Sequence, residues 1–179
     1  CVFALEYMDR ACFELLSQYK NSMTVLSALP DIPGNSNAMI YTELCAQNED
    51  KIENAAEELM EVCAEVGVDP DLAWAMTGSE IRKLRDLRHA ISECINMRIS
   101  ENHAKDTRIK KLSADIKWKG KSRIDILNYY RDKAGKSNLQ YCIFGHIGTY
   151  SPYVNIISNA AEEYIKGKEL ICSWSKDAF

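Results

Sequence analysis

The chain has 179 residues, 46% of them hydrophobic and 27% charged, with a formal net charge of −4. These are the proportions of an ordinary globular domain, and eight glycines with four prolines argue against a linker or a low-complexity chain. No apolar run approaches the ~18 residues of a membrane span. Glu6, Asp9 and Arg10 interrupt the stretch that a secretory signal would keep apolar, so the expectation is one soluble, cytoplasmic domain.

The seven cysteines, Cys1, Cys12, Cys45, Cys63, Cys94, Cys142 and Cys172, are odd in number, scattered and without a Cys-x-x-Cys pair. That pattern reads as reduced, mostly buried thiols rather than a disulfide frame or a zinc site. The chain starts at Cys1 and stops at Phe179 inside what reads as a helix, so it is expected to be a piece of a longer protein. Charge is uneven: residues 101–136 carry 11 basic and 5 acidic side chains. Such a stretch attracts anions, or is simply a solvated face; RNA binding would also want exposed aromatics, for which Trp118, Tyr129 and Tyr130 are the candidates.

In chain order, residues 2–7 are apolar and aromatic, and Asp9 is placed to cap a helix through Leu15 and Leu16. Residues 29–37 are turn chemistry, with two Pro, one Gly and two Asn. Residues 38–46 alternate as a strand. Asn48 opens a helix whose apolar stripe runs Ile52, Ala55, Leu59, Val62 and Val66, with glutamates opposite and Gly67 and Pro70 as stops. Residues 72–76 read as a short strand. The longest helix runs from Ser79 to about Ile99, with Ile81, Leu84, Leu87, Ile91, Cys94 and Ile95 inward. Arg88 lies at the edge of that stripe, and Ser92 is one turn on, on the same face. A guanidinium and a hydroxyl so stacked suit a carboxylate; the plainer alternative is an arginine whose stem covers apolar surface and whose head meets an acidic neighbour.

Strands follow at 113–118, 139–145 and 152–157, with helices from Ser122 to Lys133 and from Asn159 onward. The pattern predicts an α+β fold, an antiparallel sheet covered by helices in a split β-α-β, ferredoxin-like arrangement. His146 stands at the turn between the last two strands, between Gly145 and Gly148. An imidazole there suits proton transfer or metal ligation, or a bond to a backbone carbonyl.

Residues 4–11 (Ala-Leu-Glu-Tyr-Met-Asp-Arg-Ala), 84–93 (Leu-Arg-Asp-Leu-Arg-His-Ala-Ile-Ser-Glu), 113–116 (Ser-Ala-Asp-Ile) and 144–148 (Phe-Gly-His-Ile-Gly), with Val154 and Asn155, keep the order and approximate spacing of one family. The chain resembles the C-terminal, substrate-side domain of FAD-linked oxidases of the glycolate oxidase and D-lactate dehydrogenase type. The resemblance covers nearly all of it and implies a single cap domain over residues 1–179, whose FAD is bound mainly by a separate N-terminal domain. It implies that Arg88 grips the substrate carboxylate and that Ser92 helps hold it. Lys111 stands near the family's basic contact, and Asp115 matches the aspartate of an Asp-[Val/Ile]-x-x-Pro run that lacks its proline here. His146, the catalytic candidate, matches the first histidine of Gly-His-x-Gly-Asp-Gly-Asn-x-His, which in many members binds a divalent metal together with the second histidine; Tyr153 replaces that second histidine, with Asn155 beyond it. One imidazole without partners holds no divalent ion, so no metal is expected.

The implied function is hydride transfer from a small 2-hydroxy acid to flavin, with the FAD domain, an electron-transfer partner and a second copy as partners and no nucleic acid. The departures from the motif favour an alternative, a catalytically degenerate homologue serving as an interaction or structural module. A nucleic-acid module ranks last.

Overall fold

Asp9 ends the first strand and starts the first helix. In a computed structural model describing residues 2–27 and 36–178, strand β1 (Val2–Asp9) runs into helix α1 (Arg10–Tyr19). The Asp9 carboxylate accepts from Cys12 N at 3.1 Å as the helix cap, and from Ile143 N at 2.9 Å on a strand 134 positions away. After α2 (Thr24–Ser27) come β2 (Ala38–Leu44), α3 (Glu49–Glu65), α4 (Ile81–Lys105), β3 (Leu112–Asp115), α5 (Arg123–Lys136), β4 (Gln140–His146), β5 (Ser151–Ile157) and α6 (Ala161–Asp177). Asn48 and Ser122 cap α3 and α5 through their side chains, and Gly67 follows α3 at φ +74°.

The five strands form one antiparallel sheet in the order β2-β1-β4-β5-β3. Because β3 and β4 both run antiparallel to β5, they are parallel to each other, and α5 joins them across the inserted strand. This is the split β-α-β unit expected from the sequence, within an α+β fold. Alternation sends side chains to two cores. Met8, Tyr41, Cys142 and Ile157 pack with Leu15 of α1 and with Leu87, Ile91 and Ile95 of α4. On the other face Tyr7, Ala114, Ile143, Val154 and Ile156 meet Ile126 and Tyr130 of α5 and Trp174 of α6. Gly167 lets α6 lie close to the sheet: a Cβ there would stand 2.9 Å from Leu112 Cδ1.

Three sequence readings need correction or limits. Residues 72–76 form no strand: Asp69 caps a 3₁₀ turn over Pro70–Leu72, and the run that follows is irregular, with only Trp74 packing on a core. Five residues starting beside a proline found no strand to pair with. The α3 helix forms as read, but none of its residues is buried, and Val62 and Val66 are exposed. The turn chemistry of residues 29–37 lies mostly outside the described residues. The six described cysteines are free thiols, three of them (Cys12, Cys94, Cys142) buried. In the basic stretch Trp118 and Tyr130 are buried and bonded to each other at 2.8 Å, so neither offers a face for base stacking.

Burial raises the Asp9 carboxyl above its ordinary 3.8, its backbone donors opposing the shift only in part. The folded state therefore holds this proton more tightly than the unfolded chain, a contribution to stability present below pH 3.8 and lost as pH rises through the raised value. Asp9→Asn replaces one acceptor oxygen by an NH₂ group and is expected to cost about 1–3 kcal/mol. In urea denaturation between pH 3 and 7, the wild-type advantage over the variant should shrink as pH rises. A constant gap would remove Asp9 from the pH dependence.

Candidate functional site

The side chains singled out from the sequence lie on the sheet face that α4 covers, several of them toward one end. Strand alternation places Tyr41 of β2, Glu6 of β1, His146 of β4, Tyr153 and Asn155 of β5 and Asp115 of β3 on that face. Register aligns them: Glu6 pairs with Tyr41, and the Tyr7–Gly145 pairing continues to set Glu6 beside His146. Asp115 pairs with Tyr153.

The centre is Glu6 Oε1. Arg88 Nη1 approaches this oxygen at 2.9 Å from α4, and His146 Nδ1 approaches it at 3.1 Å from the end of β4. Glu6 is 4% exposed, and the oxygen makes no aligned hydrogen bond. The Arg88 contact is therefore an ion-pair contact to a buried carboxylate, the setting in which an unpaired charge costs several kcal/mol, and the imidazole adds a second nitrogen beside the same oxygen. The Arg88 guanidinium also lies 5.7 Å from the centre of the Tyr41 ring, within cation–π range. Its head does meet an acidic neighbour, as the plainer reading required, yet the same contact brings it to the imidazole. Beside this group, Arg85 pairs with Glu43, which that pairing holds below the usual carboxylate range.

Tyr153 closes one side. Its ring stacks edge-on to His146 at 5.9 Å and tilts against Phe144 at 5.8 Å. Gly145 permits this approach, because a Cβ there would lie 2.4 Å from Tyr153 Cδ2. The glycine flanking the histidine thus admits the neighbouring strand's tyrosine. The turn beyond is fixed by Arg123 of α5, whose Nε and Nη2 donate to the carbonyls of Ile147 and Gly148 at 3.0 and 3.2 Å, while its guanidinium lies 4.3 Å from the Tyr150 ring centre.

The remaining predicted residues sit around this centre at different distances. Asp115 is exposed and accepts from the Ser151 hydroxyl. Ser92 is half-buried one turn along α4 from Arg88, and Asn155 is buried further along β5. Lys111 donates to Asn96 at 2.9 Å, two turns or about 12 Å along the helix from Arg88, and is not brought to the Arg88–His146 pair. Glu6 is the residue sequence reasoning missed. Its signal was available: a charge at the even position between Ala4 and Met8 in an otherwise apolar strand, on the side that faces the core.

Around His146 the ligand-capable partners are one imidazole and one carboxylate, short of the three protein ligands that a catalytic divalent site uses. Among the described residues one group of three metal-capable side chains lies close together, Asp9, Cys12 and Cys142, in the core behind α1. Both Asp9 oxygens already accept backbone N–H groups, and Cys12 Sγ contacts the Ile143 carbonyl at 3.6 Å, so the group ties α1 to β4.

Comparison with known families places this geometry. Residues 1–176 match the family described as FAD linked oxidases, C-terminal domain, and the chain belongs to that family. No curated protein matches it. The family assignment makes the chain a cap domain of an FAD-dependent oxidoreductase. No described helix is long and apolar enough to cross a membrane.

Proposed function

We propose that the chain is the substrate-side cap of a flavoprotein that oxidises a small D-2-hydroxy acid, of the glycolate oxidase or D-lactate dehydrogenase type. The observation that carries this reading is the convergence of Arg88 and the half-exposed His146 on one buried oxygen. The Arg88 contact to Glu6 is an ion pair without an aligned hydrogen bond, and a guanidinium carries five N–H donors from which a fork can be offered to a carboxylate. Ser92, one turn along the same helix face, adds a hydroxyl for the same group. His146 is half-exposed, and its Nε2 bonds to no described residue, so it is free to take the proton of the substrate hydroxyl. Tyr153 packs edge-on against the imidazole, and Asp115 is exposed on the neighbouring strand, with Asn155 buried beyond it.

The open end around His146 and Tyr153 suits a flavin carried by a preceding FAD-binding domain, and these two side chains would face its ring. When bound, the flavin supplies the acceptor for the hydride on the carbon that bears the hydroxyl. In this reading residues 1–179 form one cap domain. Its partners are the FAD domain, a downstream electron acceptor and a second copy of the chain, and its compartment is the cytoplasm.

A second reading is favoured by the replacement of the family's second histidine by Tyr153 and by the exposed apolar groove between β2 and α3 (Leu44, Ala55, Leu59, Val62). In it the domain has lost catalysis and serves as an interaction module. Titrating the full-length flavoprotein with D-2-hydroxy acids while following flavin absorbance separates the two. Bleaching supports the oxidase reading; an unchanged spectrum with every acid tested overturns it.

A further inference from the structure

We propose that Glu6 is the positioning residue of the site: through one carboxylate oxygen it fixes the tautomer of His146 and the orientation of Arg88. The inference rests on the oxidase reading above and assigns a role to a residue outside the family's carboxylate-gripping and histidine motifs.

Glu6 Oε1 lies 3.1 Å from His146 Nδ1. The contact is not an aligned hydrogen bond, but a carboxylate is an acceptor only, and its charge attracts an N–H and repels a nitrogen lone pair, so it draws the proton of a neutral His146 to Nδ1. The free nitrogen is then Nε2 of a half-exposed ring, and it is the nitrogen that can receive the substrate's hydroxyl proton. The O–H bond breaks, the N–H bond forms on Nε2, and the imidazolium is stabilised by the buried carboxylate. The electrons of the substrate C–H bond leave as hydride, for which the flavin of the oxidase reading is the acceptor.

The same oxygen takes Arg88 Nη1 at 2.9 Å. One edge of the guanidinium is thereby held, and Tyr41 backs its plane. Glu6 is suited to this double role because it is on a central strand and almost fully buried. Its backbone cannot shift without disturbing the β1–β2 ladder, and no solvent competes for its oxygen.

The test uses the full-length flavoprotein labelled with ¹⁵N-histidine. Two-bond ¹H–¹⁵N correlations report the His146 tautomer, with its signals assigned by their loss in His146→Asn. Wild type is expected to show the Nδ1–H form, and Glu6→Gln to move toward Nε2–H. In rapid mixing with the hydroxy acid, Glu6→Gln should slow the limiting rate of flavin reduction by about a hundredfold. It should have no further effect in the His146→Asn background, since it acts through that ring. An Nε2–H tautomer in wild type overturns the proposal even if the variants fail to fold. So do a wild-type rate in Glu6→Gln and fully additive losses in the double variant. Should no hydroxy acid bleach the wild-type flavin, the oxidase reading falls, and the tautomer measurement still decides whether Glu6 holds His146.

Discussion

Replacing Arg88 with alanine is expected to raise the concentration of D-2-hydroxy acid that half-bleaches the flavin by more than tenfold, a loss of at least ~1.4 kcal/mol. A guanidinium binds a carboxylate through two parallel charged hydrogen bonds, and alanine leaves that group to a single serine hydroxyl. The same substitution strips a cation from Glu6, whose side chain is buried, leaving the half-exposed His146 imidazole as its remaining contact of this kind. Breaking a buried pair costs about 3–5 kcal/mol, and the partial exposure of Arg88 argues for the lower end. The two effects come apart in the double variant Arg88→Met, Glu6→Gln. Removing the orphaned charge should restore much of the melting temperature while the titration stays weak. An Arg88→Ala protein that titrates like wild type would take Arg88 out of the substrate site.

The second large effect is structural. Gly145→Ala is expected to destabilise the fold by about 3 kcal/mol or more. Its φ of +109° is one that L side chains rarely adopt, and the new Cβ would stand 2.4 Å from the Tyr153 ring. At this chain length such a loss lowers Tm by roughly 6–12 °C. Adding Tyr153→Ala relieves the clash but not the backbone strain, so only part of the loss should return. Full recovery in the double variant would show that strain contributes nothing. Because Gly145 pairs with Tyr7 and precedes His146, the same substitution should also displace the imidazole from Glu6, and flavin reduction should slow even where the protein stays folded.

The role of Glu6 shows why the site was only half legible in the sequence. Arg88 and Ser92 could be placed on one helix face because four residues of helix return a side chain to the same side. His146 could be placed at a turn because Gly145 and Gly148 flank it. Nothing local says that residue 6 stands beside residue 146, since that adjacency is made by strand pairing across more than a hundred residues. Lys111 illustrates the converse: its resemblance to a basic contact could be read, but β3 begins two turns of α4 away from the pair, where it meets Asn96 instead.

What the sequence determined by itself is therefore the part governed by short-range physics. Asp9, Asn48 and Ser122 cap helices because a side-chain oxygen reaches an unpaired N–H two or three residues on. The 3.6-residue stripe of α4 defines a buried face, and the alternation of residues 38–46 defines the two faces of β2. Tertiary structure decided which stripes were covered. Helix α3 carries the same periodic signal as α4, yet it lies against the edge strand and its stripe is at most half-buried, while the α4 stripe packs into the core. It also decided that a guanidinium and an imidazole share one buried oxygen, because burial and charge pairing depend on what the rest of the chain brings alongside, and no window of neighbouring residues contains that information.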